Sequence, residues 1–300
     1  MRIYQILFII LCLAIIASCT KENEIAINEL MLCGNNKVWI IDKDKSLNQK
    51  TKIIWQWENT DVYDQTPARY QKHLSTIAEC KYVDNGTKIL LAASSGGVIL
   101  IERKTKKCLF YAYAPAAHSA DLLPSNKIAV ALSEHKEGNS IEIYDINRSE
   151  QVLFKDSLFS GHGSVWMENR DRYYALGYDE LREYSLVDWN TEFPKLKLER
   201  AWTIPGESGH DLVPISDNEL LLTENLGVHK FNIDEEKFEI FTPLHNIKGV
   251  KSANYNKESG EIIYTKSEIS WWTHNIYIKN PDKRIIIPDI DIYKVRPNPF

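Results

Sequence analysis

The sequence predicts an all-β chain, a six-bladed β-propeller whose ring is closed by the C-terminal strand pairing into the first blade. Three observations lead there. Short runs of β-branched and aromatic residues stand between Gly, Asn and Asp turns along the chain, and few stretches keep a helical period. One pair of strands recurs six times in order. The first copy lacks the strand that precedes the others, while a spare strand stands at the C-terminus.

The pair opens with a charged residue followed by apolar ones: ELML (29–32), KILLAA (88–93), KIAVAL (127–132), RYYALG (172–177), ELLLTE (219–224) and EIIYTK (261–266). Its second strand follows as VWIIDKD (38–44), VILIERK (98–104), IEIYDIN (141–147), LREYSLVD (181–188), VHKFNID (228–234) and IYIKNPD (276–282). Four of the six pairs start nine or ten residues apart, the spacing of a hairpin. The units recur about every 40 to 60 residues, near the period of four-stranded blades. Strands before the pair are ECKYV (79–83), SADLLP (119–124), SVWM (164–167), DLVP (211–214) and SANY (252–255). Fourth strands are KIIWQW (52–57), CLFYAY (108–113), LERAWTI (198–204) and FEIFTP (238–243). DIYKVRP (291–297) is left to complete the first blade. A β-sandwich does not account for six copies.

The propeller domain is placed at residues 28–300, after a leader. Arg2 precedes an apolar run from Ile6 to Ala17 that is too short to span a bilayer comfortably, and small residues lead to Cys19. This arrangement resembles the lipobox of bacterial lipoproteins. The resemblance implies a signal peptide over 1–18, lipid on Cys19 and a tether over 19–27, with the membrane as a partner through that lipid. The tether lacks the Asp that commonly retains lipoproteins at an inner membrane, so the expected location is the outer membrane, periplasmic or surface-exposed. Lys21 followed by Glu22 and Glu24 also resembles the surface-export signal of Bacteroidetes lipoproteins.

Without residues 1–18 only Arg2 is lost among the charges, which leaves 35 basic and 41 acidic residues, net −6. That balance argues against a nucleic-acid partner. Cys33, Cys80 and Cys108 remain besides Cys12 and Cys19. Their spacing fits no zinc motif and their number is odd, so they read as small apolar residues in strands.

The motifs CGNNKVWIID (33–42), AHSADLLP (117–124), GHGSVWM (161–167), GHDLVP (209–214) and VKSAN (250–254) resemble those of uncharacterised six-bladed propeller lipoproteins, mainly from Bacteroidetes. The resemblance covers essentially the whole mature chain. It implies fold and location and no activity, so function has to be argued from the site.

In a propeller the loop leading into each innermost strand and the loop between second and third strands share one face. His118, His162, His210 and Lys251 fall on the former, while Glu134, His135, Tyr178, Glu224, Lys266, Trp271, Trp272 and His274 fall on the latter. The expected ligand site is therefore the channel mouth, with His118, His162, His210, Lys251, Trp271, Trp272 and His274 around it. Imidazoles can ligate a metal, act as a base or hydrogen-bond a ligand, or simply cap a turn. His118, His162 and His210 are the candidates for a divalent metal, although no HxxxH spacing supports one. Their offsets differ, since His210 adjoins Asp211 and His118 lies three residues before Asp121, so a common direction is not implied. The Trp pair suits the flat faces of sugar rings, or the packing of one ring under its loop.

Two classes of function follow, with a third beside them. The first is a lipoprotein binding a small or oligomeric ligand, carbohydrate foremost, at the mouth of the channel. The second is a lyase or hydrolase using the histidines, with or without a divalent metal; catalytic residues are not assignable from sequence, because no nucleophile elbow or phosphate loop is present. The third is a scaffold for protein partners.

Overall fold

The computed structural model describes residues 28–47 and 50–300. The leader, Cys19 and the whole of the predicted tether lie outside the described residues. What is described is a ring of six sheets, each of four antiparallel strands. The first blade takes its innermost strand, Lys294–Pro297, from the end of the chain and the other three, Glu29–Gly34, Lys37–Asp42 and Ile53–Glu58, from its start. The remaining blades follow in order from inside to outside. Their innermost strands are Ile77–Val83, Ala117–Leu123, Gly163–Met167, Asp211–Ser216 and Val250–Tyr255.

The apolar runs that marked the repeat are explained by where their two faces go. Along Lys88–Ala93, Ile89 and Leu91 pack toward the first blade while Leu90 and Ala92 pack toward the third. Along Glu29–Gly34, Met31 and Cys33 face the second blade and Leu30 and Leu32 the sixth. A strand covered on both faces loses the apolar–polar alternation and reads as a continuous hydrophobic run. Outer strands behave oppositely: Val152–Ser157 and Lys283–Ile286, which complete the third and sixth blades, carry charged residues and are largely open to solvent. Both escaped the sequence reading for that reason.

Closure follows the expected pairing. Leu30, Met31, Leu32 and Cys33 lie opposite Pro297, Arg296, Val295 and Lys294. Gly34 is required just beyond, because a Cβ there would sit 1.8 Å from the Asp291 carbonyl oxygen. Between the first and second blades the connection is longer than elsewhere and carries three short helical turns, Asn59–Val62, Ala68–Gln71 and Lys72–Leu74, which bring Ser75 and Thr76 to the channel mouth. Cys33 and Cys80 are buried strand residues and Cys108 is half-buried, none of them bonded to another.

Candidate ligand site at the channel mouth

Each innermost strand begins with the same irregularity, in which two of its residues oppose one residue of the next strand. Pairing jumps from Ile77 to Glu79, from Ala117 to Ser119 and from Val250 to Ser252, leaving Ala78, His118 and Lys251 unpaired. In the other three blades the residue before the first ladder pair donates its N–H to the same opposite residue: His162 to Leu176, His210 to Thr223 and Tyr293 to Cys33, each at 2.8 Å. Such a bulge re-aims a side chain that the pleat would otherwise carry to the other face. The six equivalent residues, Ala78, His118, His162, His210, Lys251 and Tyr293, all line one cavity of about 410 Å³.

The three histidines thus share one structural position and one direction. Counting from the nearest aspartate misaligned them, because the residue equivalent to Asp211 in the third blade is Ser119, not Asp121. His118 and His162 lie with ring centroids 4.3 Å apart, and His162 and His210 5.4 Å apart. Tyr293 and Ala78 escaped sequence reasoning. Setting YKVRP under HDLVP, with the prolines in register, would have placed Tyr293 on His210.

Two residues before four of these positions the backbone turns left-handed, at Ala116 (φ 56°), Ser160 (φ 48°), Ser208 (φ 61°) and Gly249 (φ 66°). For an alanine this region is costly, and such residues concentrate where a site is held in a fixed shape. The turn at Ala116 aims its carbonyl oxygen at the imidazole, and His118 Nδ1 donates to it at 2.8 Å. His162 Nδ1 donates to Ser160 O in the same way, also at 2.8 Å. A carbonyl can only accept, so both rings carry hydrogen on Nδ1 and leave the Nε2 lone pair free.

Burial keeps these imidazoles neutral. It lowers His118 to about 4 and His210 to about 3. Burial and the neighbouring rings hold His162 well below the usual histidine range. An unfolded histidine takes up a proton near pH 6.5 and the folded one does not until about pH 4. Stability is therefore expected to fall as pH drops through that window, by up to about 3 kcal/mol for His118 alone. Melting temperatures at pH 7 and pH 4.5 measure this. A His118→Asn, His162→Asn variant should show a shallower slope, and an identical slope would show that the two rings titrate normally.

His210 differs from the other two. Its Nε2 lies 3.0 Å from Asn225 Oδ1 and 2.7 Å from Lys251 Nζ, while its Nδ1 is buried without a partner. Lys251 has no carboxylate within ion-pair distance among the described residues, and burial together with the charge of Lys294 lowers it to about 8. Among the described residues Lys251 and Asp291 are the only charged ones lining the cavity, and Asp291 is engaged by Asn35 and His274.

Below this ring the channel is closed by a balanced set of buried charges. Arg296 donates from Nε and Nη2 to Glu79, and from Nη1 and Nη2 to Asp211, at 2.5–3.0 Å. Lys294 Nζ bridges the same two carboxylates at 3.1 and 3.0 Å. Burial alone would raise both carboxyls, but the two cations outweigh it and hold them below the usual range. Asp121 is likewise structural: it accepts from Lys81 Nζ at 3.3 Å and from the Trp166 N–H at 2.9 Å. The two aspartates nearest the axis thus join blades rather than face a ligand.

Trp271 is 58% exposed at the rim and Trp272 is half-buried with its ring 5.1 Å from that of His274; both line the cavity. His274 does not line it. Its Nε2 lies 3.1 Å from Asp291 Oδ1, so it fastens the tryptophan loop to the segment leading into Lys294–Pro297. Glu224 is buried and holds its own loop by accepting from the Leu226 N–H at 2.8 Å, and Lys266 faces Tyr277 and Glu268.

Among the described residues no group of three or more His, Cys, Asp or Glu has the spacing to hold a metal ion. The available Nε2 lone pairs of His118 and His162 form a pair without a third ligand. The cavity therefore offers hydrogen-bond acceptors, one amine, a phenol and an aromatic rim.

Residues 4–297 match the model of a family described as a family of unknown function, DUF6528. No curated protein matches the chain.

Proposed function

For a chain that belongs to the DUF6528 family, whose function is unknown, we propose the role of an exported lipoprotein that binds a small or oligomeric carbohydrate at the mouth of the propeller channel. One observation carries this reading: six equivalent bulges turn three neutral histidines, Lys251, Tyr293 and the small Ala78 into a single cavity with Trp271 and Trp272 beside it. Neutral imidazoles and a phenol hydrogen-bond hydroxyl groups without a charge to neutralise, and indole faces stack on sugar rings. Groups that stay neutral around pH 7 make poor proton shuttles, which favours binding over acid–base hydrolysis by the histidine cluster.

The topology suits a tethered receptor. Strand Glu29–Gly34 starts on the face opposite the mouth and ends at it, since Gly34 lines the cavity. Lipid on Cys19 would hold the ring by its far face, at a reach of up to roughly 30 Å for nine extended residues, and leave the mouth open outward. Fractionating cells that carry wild type or Cys19→Ala tests the anchor: the variant should leave the membrane fraction, and a variant that stayed acylated and bound would refute it.

A glycan-binding screen of residues 28–300, with metal content measured alongside, tests the ligand class. Trp271→Ala should weaken a sugar hit tenfold or more, about 1.4 kcal/mol, while leaving the melting temperature unchanged. Saturating metal in the purified domain and no glycan signal would turn the assignment toward a metal-dependent role.

A further inference from the structure

Lys251 and Lys294 both face the channel, and their surroundings differ. Lys294 is wholly buried, bridges Glu79 and Asp211, and has its charge fixed by them. Lys251, nearer the mouth, is 8% exposed, lines the open cavity and has only a nitrogen partner, His210 Nε2 at 2.7 Å. The histidine decides what that contact means. With the Asn225 carbonyl 3.0 Å from the same Nε2, the ring satisfies Asn225 only by carrying hydrogen on Nε2. An ammonium would then press N–H against N–H. A neutral amine can instead share the single Nε2–H with Asn225 Oδ1 in a three-centre bond, accepting with its lone pair. The unpartnered Nδ1 is consistent with this tautomer, since it is then a bare acceptor and not a stranded donor.

From this geometry we propose that Lys251 is a carbonyl-capturing amine, which forms a reversible imine with the aldehyde or ketone of a small ligand seated in the channel mouth. The inference rests on the mouth being the ligand site and adds the functional group that the site engages. Burial and the charge of Lys294 act in the same direction, lowering Lys251 to about 8.

The chemistry balances without an added reagent. The Nζ lone pair attacks the carbonyl carbon, and the carbonyl π electrons move to oxygen, which takes up a proton as nitrogen loses one. The resulting carbinolamine loses its hydroxyl, after protonation, as water. Nitrogen donates its electron pair to form C=N, and its remaining proton returns to solvent. Amine and carbonyl compound become imine and water. Asn225 acts as a positioning residue, holding His210 so that its Nε2–H meets the amine. The open-chain aldehyde of a reducing sugar has the required group.

The test uses glycolaldehyde as probe and cyanoborohydride to reduce any imine, followed by peptide mass mapping. Lys251 should be alkylated at least tenfold faster at pH 7 than the exposed Lys104 and Lys136. Its rate should rise with pH to a midpoint near 8, and Asn225→Leu should shift that midpoint while the melting temperature stays close to wild type. Labelling of Lys251 no faster than the exposed lysines, or with a midpoint near 10, overturns the proposal. The two readings fail separately. Glycan binding at the mouth with an unreactive Lys251 removes the imine and keeps the site, whereas a reactive Lys251 in a protein that binds no glycan keeps the amine and removes the carbohydrate.

Discussion

Deletion of residues 290–300 is expected to unfold the ring rather than fray one edge. The deletion takes the innermost strand from the first blade and exposes the unpaired edge of Glu29–Gly34. It also removes Ile290, Ile292 and Val295 from the core between the first and sixth blades. Its largest effect is electrostatic: Glu79 and Asp211 lose both of their cations at once while remaining in positions that the ring buries. Breaking one buried pair costs about 3–5 kcal/mol, and total domain stabilities run only about 5–15. The truncated protein should show no cooperative melt by circular dichroism.

Arg296→Met separates the charge from the strand. It keeps the ladder and much of the side-chain volume but leaves Lys294 alone against two carboxylates. A loss of about 3–5 kcal/mol is expected, on the order of 10 °C in melting temperature for a domain of this size. The wild-type pair is held ionised below the usual carboxylate range, so its contribution is present above pH 4 and lost as pH falls through the folded value. A melting temperature within two or so degrees of wild type for Arg296→Met would mean that the network does not hold the ring shut.

The fold was legible because blades repeat. Six copies of a hairpin whose strands are covered on both faces leave a signal that no single strand would carry, and a spare C-terminal strand named its own partner. The outer strands of the third and sixth blades were not legible, because edge strands with one covered face and charged residues such as Lys155, Lys283 and Arg284 look like loops. At the site the residues were legible and their alignment was not. His118, His162, His210 and Lys251 stood out as costly residues near the axis, but a bulge adds one residue that sequence spacing cannot distinguish from a loop. Tyr293 was hidden for the opposite reason, lying at the far end of the chain from the blade it completes. The buried charges were the least legible: Glu79, Lys294 and Arg296 come together only after the ring closes, so nothing local marks them as partners.

We propose the bulge residues at the channel mouth as the ligand site. The most direct measurement is calorimetric titration of the tightest glycan from the screen into wild type and into His118→Ala, His162→Ala, His210→Ala and Lys251→Ala, with thermal melts to confirm folding. All four residues line one cavity of about 410 Å³, and a lost hydrogen bond there is worth about 1–3 kcal/mol. The predicted result is a loss of affinity of tenfold or more in the variants that melt as wild type does. Undiminished affinity in all four folded variants would contradict the account and move the site to the opposite face of the ring.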